Sequence, residues 1–200
     1  DPTRTPGGSS GGSAAAVVCA LRAGGVPAHQ LLEKALAVHF AVQGSGSGVD
    51  VAAAVHGGGI RFASASVRPV DLPEPVVVYT GQSARTGPRV EAYRAWTGRE
   101  AFVAASEALV QRFPSEPIEA TREAWHLLTD MAVRAGIPYR TSAIDVLVSL
   151  AESQGGAAKP SGAGGGDCVV AFVPDPARFR EEARMAGHPA LDVVWNTSVE

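Results

Sequence analysis

The sequence predicts a mixed α+β fold arranged in two domains, and three observations support this prediction. Several long segments repeat apolar residues at helical spacing. Two short runs, 76–80 and 169–173, are instead rich in β-branched residues and do not alternate with polar ones. A turn-like segment with two prolines, 71–75, separates the halves. We therefore expect one domain at 1–70 and a second at 71–200.

Composition narrows the class of protein. The chain has 200 residues, of which 46% are hydrophobic, and a net charge of −3, which indicates a globular protein without the basic surface that nucleic acid requires. No apolar run reaches the roughly 18 residues of a membrane-spanning helix, so we expect no membrane partner. Cys19 and Cys168 have no partners at metal-ligand spacing. Free thiols in a reducing cytoplasm are the expectation.

The first half is expected to contain three helices and one strand, separated by glycine-rich breaks. The predicted limits are 14–23, 27–42 and 51–55 for the helices, with a strand that begins at Ile60. The first helix is rich in alanine and is expected to be buried. The second presents a broad apolar face that includes His39.

The second half is expected to begin with a strand at 76–80 that is buried on both faces, because its apolar residues do not alternate. A polar loop, 81–88, follows it. Four helices and a second strand complete the domain. The predicted helices are 90–113, 118–136, 142–153 and 175–185, and the predicted strand is 169–173.

Three glycine-rich loops are candidates for binding phosphate. The first, 6–13, directly precedes a helix, whose N-terminus presents unpaired N–H groups and the positive end of the helix dipole. The second, 43–50, ends at Asp50, and the third, 161–167, ends at Asp167. Loops with so few side chains let a ligand approach the main chain, whose successive N–H groups bind anions. Taken singly, each loop is also consistent with an ordinary turn or helix cap.

The order of these motifs resembles that of the GHMP kinases, and among them the phosphomevalonate kinases. A Gly/Ser loop before an Ala-rich helix is followed by Gly-Ser-Gly-Val-Asp-Val-Ala at 46–52 and by Ser-Gly-Ala-Gly-Gly-Gly-Asp-Cys at 161–168. The last motif, together with Lys159 and Pro160, is the most specific part. The resemblance extends over nearly the whole chain, to Trp195.

The resemblance implies a two-domain α/β sandwich. In it, 1–70 would be the remainder of a nucleotide-binding domain of the ribosomal S5 type, and 71–200 would be the C-terminal GHMP kinase domain. The implied reaction is phosphoryl transfer from ATP, with Mg²⁺, to mevalonate 5-phosphate, giving mevalonate 5-diphosphate. The implied partner is therefore a small phosphorylated substrate, and the implied form is a cytoplasmic monomer or homodimer.

The resemblance also implies site residues. Asp50 would hold the acidic catalytic position, and Ser13 would supply the metal-side hydroxyl. The nucleotide would be bound by Gly8, Ser9, Ser10, Gly11, Gly12 and Ser13. The substrate would be bound by Ser47, Arg85, Lys159, Ser161, Gly162, Ala163, Gly164, Gly165 and Asp167.

The implied chemistry needs little base catalysis. The attacking group would be a phosphate oxygen, and because the second pKa of a phosphate is about 6, it is already largely ionised at neutral pH. Repulsion between the anionic reactants is then the main barrier to phosphoryl transfer. An enzyme lowers this barrier by positioning the reactants and by placing positive charge near them. We expect Asp50 to organise a cation as much as to accept a proton.

Two departures from the kinase pattern affect these expectations. The first loop reads Ser-Ser-Gly-Gly-Ser-Ala-Ala at 9–15, where the family usually has Gly-Leu-Gly-Ser-Ser-Ala-Ala, so Gly12 replaces a serine. The family's N-terminal motif, which includes a functional lysine, has no counterpart. We therefore expect a further segment before Asp1, and we expect the chain by itself to bind nucleotide poorly.

Other functions stay open at this stage. Residues 1–17 also resemble the signature of amidase-family hydrolases, which use a Ser-Ser-Lys triad. The context of their nucleophile is approached only at 55–61, where a glycine stands in place of serine. A GHMP kinase for another small molecule and a non-catalytic nucleotide-binding module descended from a kinase are further alternatives. Release of ADP in the presence of mevalonate 5-phosphate would discriminate among them.

Overall fold

The computed structural model describes residues 12–43, 46–63, 66–84 and 86–193, and these form helices and sheets in two compact units. The first unit runs to Asp71 and the second extends from Leu72 to Val193. The predicted mixed α+β class is confirmed. The predicted domains at 1–70 and 71–200, and the role assigned to each, stay predictions. Among the described helices, none has the length and apolar character to cross a membrane.

The described residues of the first unit form three helices and a two-stranded antiparallel sheet. The helices are α1 (Gly12–Ala23), α2 (Ala28–Gln43) and α3 (Val49–His56), and the strands are β1 (Ile60–Ala63) and β2 (Ser66–Pro69). The helices enclose a small core of Ala14, Val18, Leu31, Ala35 and Val51.

The predicted helices and first strand of this unit are confirmed, with two differences. Only Ala14 and Val18 of α1 are buried, so the expectation of a buried helix is wrong for the rest of it. Strand β2 was not predicted, because its residues alternate weakly and end in Pro69. It forms by pairing with β1, in which Arg61 lies opposite Arg68.

In the second unit, the residues that the structure describes form five helices and a three-stranded antiparallel sheet in the order β3-β5-β4. Its helices are α4 (Thr86–Ala95), α5 (Arg99–Arg112), α6 (Pro117–Ala135), α7 (Ser142–Ser153) and α8 (Pro176–Met185), and its strands are β3 (Val76–Tyr79), β4 (Ala157–Pro160) and β5 (Cys168–Phe172). Fully buried side chains from the sheet and helices form the core. The largest are Val76, Val78, Ile144, Leu147, Val169 and Phe179.

Local signals explain where these helices begin and end. The Thr141 hydroxyl accepts the N–H of Ile144 at 3.3 Å and begins α7, and the Asp175 carboxylate accepts the N–H of Arg178 at 3.0 Å and begins α8. Gly136, with φ 68°, ends α6 in the left-handed conformation that glycine adopts without strain. The predicted limits of these helices are therefore close to the observed ones.

The sequence-based prediction was wrong at three places in this unit. The single helix expected over 90–113 is two helices, because the chain breaks at Gly98, which packs against the indole of Trp96. Strand β3 is buried on one face and only partly buried on the other. No strand was predicted at β4, which precedes the third glycine-rich loop. It tolerates Pro160 because it is an edge strand and the proline is its last residue.

Candidate functional site

The glycine loop, which we define as residues 161–167, connects the antiparallel strands β4 and β5. The N–H of Ser161 donates to the carbonyl of Cys168 at 2.9 Å and closes the hairpin. Ser161 and Gly162 are exposed, whereas Gly164 and Gly166 are buried. A ligand would therefore approach the beginning of the loop, and the rest of the loop packs into the unit.

The middle of the loop packs against Tyr139. Gly164 has φ 76°, and a Cβ atom added there would overlap the tyrosine ring. The N–H of Gly165 donates to the carbonyl of Tyr139 at 2.6 Å. A Cβ atom on Gly165 would lie 2.6 Å from the carbonyl oxygen of Pro138 and would overlap the guanidinium of Arg89. The two glycines are thus required by close approach as well as by their backbone conformation.

The end of the loop is held by the residues that follow β3. The Asp167 N–H donates to the carbonyl of Gln82 at 2.7 Å, and the Thr80 hydroxyl donates to the Asp167 carbonyl at 3.0 Å. The Asp167 carboxylate accepts the N–H of Ala84 at 3.3 Å. Asp167 has φ 55°, so a residue with a side chain holds a left-handed conformation here. Its carboxylate supports the neighbouring loop, and its predicted contact with substrate stays a prediction.

Tyr139 and Thr80 are the residues that fix this loop. Both are at most 4% exposed. Burial raises the pKa of the Tyr139 hydroxyl, which has no hydrogen-bond partner among the described residues. No role for Tyr139 could be predicted from the sequence, since it follows Gly-Ile-Pro in a segment that indicates only a turn. A buried tyrosine ring beneath a run of glycines is visible only in three dimensions.

Lys159 lies on β4, opposite Val170 of β5. Its Nζ donates to the carbonyl oxygen of Pro160 at 3.1 Å. Burial lowers the pKa of this ammonium group. Its side chain lines a cavity that α5 and α6 enclose, and its predicted contact with a substrate phosphate stays a prediction.

Asp50 lies in the first turn of α3, in the first unit. One carboxylate oxygen, Oδ1, accepts the N–H of Val51 at 3.0 Å and lies 4.0 Å from Nε2 of His39. His39 is 4% exposed and belongs to α2. The sequence predicts His39 on the apolar face of its helix and indicates no function for it, although a single imidazole among aliphatic side chains is a local signal.

The second Gly/Ser loop approaches α2 closely. Gly48, with φ 75°, precedes α3, and a Cβ atom added there would overlap the side chain of Leu36. Gly46 packs near the His39 ring, since a Cβ atom there would lie 3.5 Å from Nε2. The Ser47 hydroxyl accepts the N–H of Val49 at 3.4 Å. This loop therefore places Ser47 and Asp50 together at the start of α3.

The first predicted loop is described only in part. Gly12 and Ser13 form the exposed beginning of α1, and the first turn of a helix is a position where backbone N–H groups can bind an anion. Gly8, Ser9, Ser10 and Gly11 lie outside the described residues, as does Arg85.

A magnesium ion would need oxygen ligands. Mg²⁺ in phosphoryl-transfer sites is usually bound by one or two carboxylates together with phosphates and water. Asp50 provides one partly exposed carboxylate, with 36% of its side chain accessible, and this fits such a site. Among the described residues, no group of three or more His, Cys, Asp or Glu side chains forms a protein-only metal site.

Comparison with known proteins adds a family match. Residues 105–188, which include α6, α7, the glycine loop and β5, match the family model described as GHMP kinases C terminal. No curated protein sequence matches the chain. The matched residues include 159–168, the motif on which the resemblance of the sequence to these kinases most depends.

Solved structures show the same fold. A Lin0012 protein from Listeria innocua matches with a TM-score of 0.79 and 24% identity over 95% of this chain and 68% of that one. The L. major mevalonate kinase, solved in complex with R-mevalonate, matches with a TM-score of 0.66 and 20% identity over 92% and 64%. The Methanococcus jannaschii mevalonate kinase matches with a TM-score of 0.68 and 15% identity over 82% of this chain and 55% of that one. The chain thus has the GHMP kinase fold and spans about two thirds or less of these proteins.

Proposed function

We propose that this chain, whose residues 105–188 match the C-terminal domain of GHMP kinases, is part of an ATP-dependent kinase that phosphorylates a small molecule. The glycine loop is the observation that carries the proposal. It is nearly free of side chains at its exposed end and is held on two sides by Tyr139 and the residues after β3. A main chain fixed in this way is suited to binding a phosphate through its N–H groups.

The acceptor that we propose is mevalonate 5-phosphate. The segment from Lys159 to Cys168 supports it, because this motif resembles the phosphomevalonate kinases most closely. Mevalonate itself is the second candidate, since mevalonate kinases are among the structural matches. The two acceptors differ in the attacking group, which is a phosphate oxygen in one and a hydroxyl in the other.

The proposed roles divide between the two units. The N-terminal turn of α1, with the preceding residues 8–11, would bind the phosphates of ATP, and Asp50 with Ser13 would hold Mg²⁺. When bound, the metal would neutralise negative charge on the transferred phosphoryl group. On the acceptor side, the residues that we propose as ligands are Ser47, Arg85, Lys159, Ser161, Gly162, Ala163, Gly164, Gly165 and Asp167.

For a phosphate acceptor, Asp50 has little need to remove a proton, because the nucleophile is largely ionised at neutral pH. Its carboxylate acts by holding positive charge near the reacting groups. His39 restricts its position from the buried side. For a hydroxyl acceptor, the same carboxylate would have to accept the proton. The pH dependence of turnover therefore differs between the two acceptors.

The test is a coupled assay of ADP release by the intact gene product, with mevalonate 5-phosphate, mevalonate and homoserine offered separately. We expect ADP release that depends on mevalonate 5-phosphate. If ADP is released with mevalonate and not with mevalonate 5-phosphate, mevalonate is the acceptor and the first proposal is wrong. If no small-molecule acceptor supports release while ATP still binds, the chain belongs to a nucleotide-binding module. Hydrolysis of a simple amide would instead support the amidase hypothesis.

A further inference from the structure

The exposed beginning of the glycine loop presents a series of main-chain N–H groups. Gly162 is exposed and Ala163 is partly exposed. Within the part of the chain that the structure describes, the N–H groups of Gly162, Ala163 and Gly164 donate to no acceptor, whereas that of Gly165 is bound by the carbonyl of Tyr139. Successive N–H groups in turn conformations bind anions. This end of the loop therefore offers hydrogen bonds to an anion, but the main chain by itself supplies no full positive charge.

Arg89 brings a positive charge to the same loop. It lies in the first turn of α4 and is partly exposed. Its Nε and Nη2 atoms donate to the carbonyl oxygen of Pro138 at 3.4 and 3.2 Å. Both distances exceed the about 2.9–3.0 Å that is usual for such bonds. A carbonyl oxygen carries no net charge, so these two bonds hold the guanidinium beside the loop without neutralising it.

A glycine lets the guanidinium come this close. A Cβ atom on Gly165 would overlap Nη2 of Arg89, so the guanidinium packs directly against the main chain of the loop. Gly165 immediately follows the three N–H groups that have no acceptor. A guanidinium has five N–H donors in a planar fork, which matches the oxygens of a phosphate better than a single carbonyl oxygen. Arg89 thus adds charge and directional donors where the row of N–H groups ends.

We propose that Arg89 binds the phosphate that the acceptor already carries, and that it selects a phosphorylated acceptor over one that ends in a hydroxyl. This inference deepens the proposed function and rests on it, because it takes the glycine loop as the acceptor side of the site. The guanidinium supplies charge-assisted hydrogen bonds, and the N–H groups of Gly162 and Ala163 supply neutral ones. A hydroxyl in the same place carries no charge for the arginine to offset, so it gains much less. Arg89 lies outside the glycine-rich motif, and no sequence pattern indicated it.

The experiment is isothermal titration calorimetry of the intact gene product, without ATP, against mevalonate 5-phosphate and mevalonate. The two compounds share a carboxylate and differ in the phosphate, so the ratio of their Kd values isolates the contribution of the phosphate. We expect the wild type to bind mevalonate 5-phosphate at least about ten times more tightly than mevalonate. Arg89→Gln can still donate to the carbonyl of Pro138 but has no charge. It should weaken mevalonate 5-phosphate about tenfold or more and leave mevalonate unchanged.

Two further variants separate the charge from the packing of this helix. Arg89→Lys keeps the charge and loses the planar fork, so it should weaken mevalonate 5-phosphate about threefold, less than Arg89→Gln does. Arg94→Gln is the matched control. Arg94 is an exposed arginine in the last turn of α4, and among the described residues it has no hydrogen bond to the glycine loop. Its replacement should leave both Kd values unchanged.

Equal affinity of the wild type and Arg89→Gln for mevalonate 5-phosphate would overturn the inference. Equal weakening of both compounds would also overturn it, because it would assign Arg89 to the shared carboxylate or to a purely structural role. Equal losses in Arg89→Gln and Arg94→Gln, or absence of mevalonate 5-phosphate binding to the wild type, would do the same. Circular dichroism melting shows whether each variant is folded, and Arg89→Lys keeps the test valid if Arg89→Gln does not fold.

The titration and the ADP-release assay fail independently, because the titration contains no ATP. If ADP release depends on mevalonate 5-phosphate and Arg89→Gln binds that compound normally, the role of Arg89 is wrong and the kinase function stands. If no acceptor supports ADP release and the binding of mevalonate 5-phosphate still depends on Arg89, the phosphate contact stands and the kinase function is wrong.

Discussion

The Nε2 atom of His39 lies 4.0 Å from the Oδ1 atom of Asp50, so that a buried ring of α2 stands beside the carboxylate at the start of α3. The ring is confined by its burial and by the approach of Gly46 to the same nitrogen. Asp50 is partly exposed, so one side of its carboxylate is fixed by the fold and the other is open to a ligand. This arrangement suits a carboxylate that must hold a cation at a fixed position.

Replacing Asp50 with asparagine should separate turnover from nucleotide binding. The substitution keeps the shape of the side chain and removes its charge, so we expect kcat to fall about 10²- to 10³-fold while the affinity for ATP hardly changes. Steady-state kinetics and ATP titration of the intact protein measure the two quantities. Near-normal turnover would remove Asp50 from the proposed mechanism.

His39 should act on the reaction through the position of Asp50. His39→Phe keeps a ring in the buried site and removes the nitrogen that faces the carboxylate, so we expect kcat to fall about threefold to tenfold with little change in the KM for ATP. His39→Gln can present an amide nitrogen near the place of Nε2 and should recover part of the loss. Equal activities of the Phe and Gln variants would show that the nitrogen has no positioning role.

Gly164→Ala tests whether the glycine loop depends on close packing or only on its backbone conformation. Gly155 is the matched control, because its φ of 78° is close to the 76° of Gly164 and a Cβ atom there would have no neighbour within 4 Å. We expect Gly155→Ala to lower the free energy of unfolding by about 1–2 kcal/mol, from backbone strain alone. Gly164→Ala adds an overlap with Tyr139, which should cost a further 1–3 kcal/mol or so. Chemical denaturation measures both, and equal losses would contradict the packing argument.

Lys159→Met should stabilise the protein, and the gain should depend on pH. Burial lowers the pKa of Lys159 in the folded state, so the unfolded chain binds the proton more readily, and below the unfolded pKa of about 10.4 the lysine opposes folding. Between the lowered pKa of the folded state and the pKa of the unfolded state, a rise in pH stabilises the wild type. The melting temperatures of the wild type and of Lys159→Met should therefore converge as the pH rises through this range. Thermal unfolding at several pH values checks this. A difference between these two melting temperatures that widens with rising pH would contradict the prediction.

Elements specified by local signals were predicted correctly from the sequence, whereas elements that depend on contacts between distant segments were missed. Helices α2, α6 and α7 are specified by periodicity and by their own end signals, and they were predicted to within a few residues. Strands β2 and β4 exist because another strand pairs with them, and neither four-residue sequence shows a strong strand pattern. The break between α4 and α5 did have a local signal, Gly98, which a long helical pattern outweighed.

The same distinction applies to the candidate site. The glycine loop and Asp50 were identifiable because each is a local motif. Tyr139 and Gln82 were not, since their hydrogen bonds to the loop join segments that are far apart in the sequence. Lys159 was recognised as part of the motif, whereas the cavity that it lines depends on two helices that precede it.

The two-sided support of the glycine loop has a consequence for the thermodynamics of binding. Tyr139 and Gln82 order the loop through hydrogen bonds that form when the second unit folds, before any ligand arrives. The conformational entropy of its residues is therefore lost on folding and does not weaken the binding step. A ligand held there would in turn favour the folded unit through mass action, by about 2.7 kcal/mol when its concentration is a hundred times its Kd. The loop is therefore preorganised: a ligand that binds it would benefit from hydrogen bonds that already stabilise the folded unit.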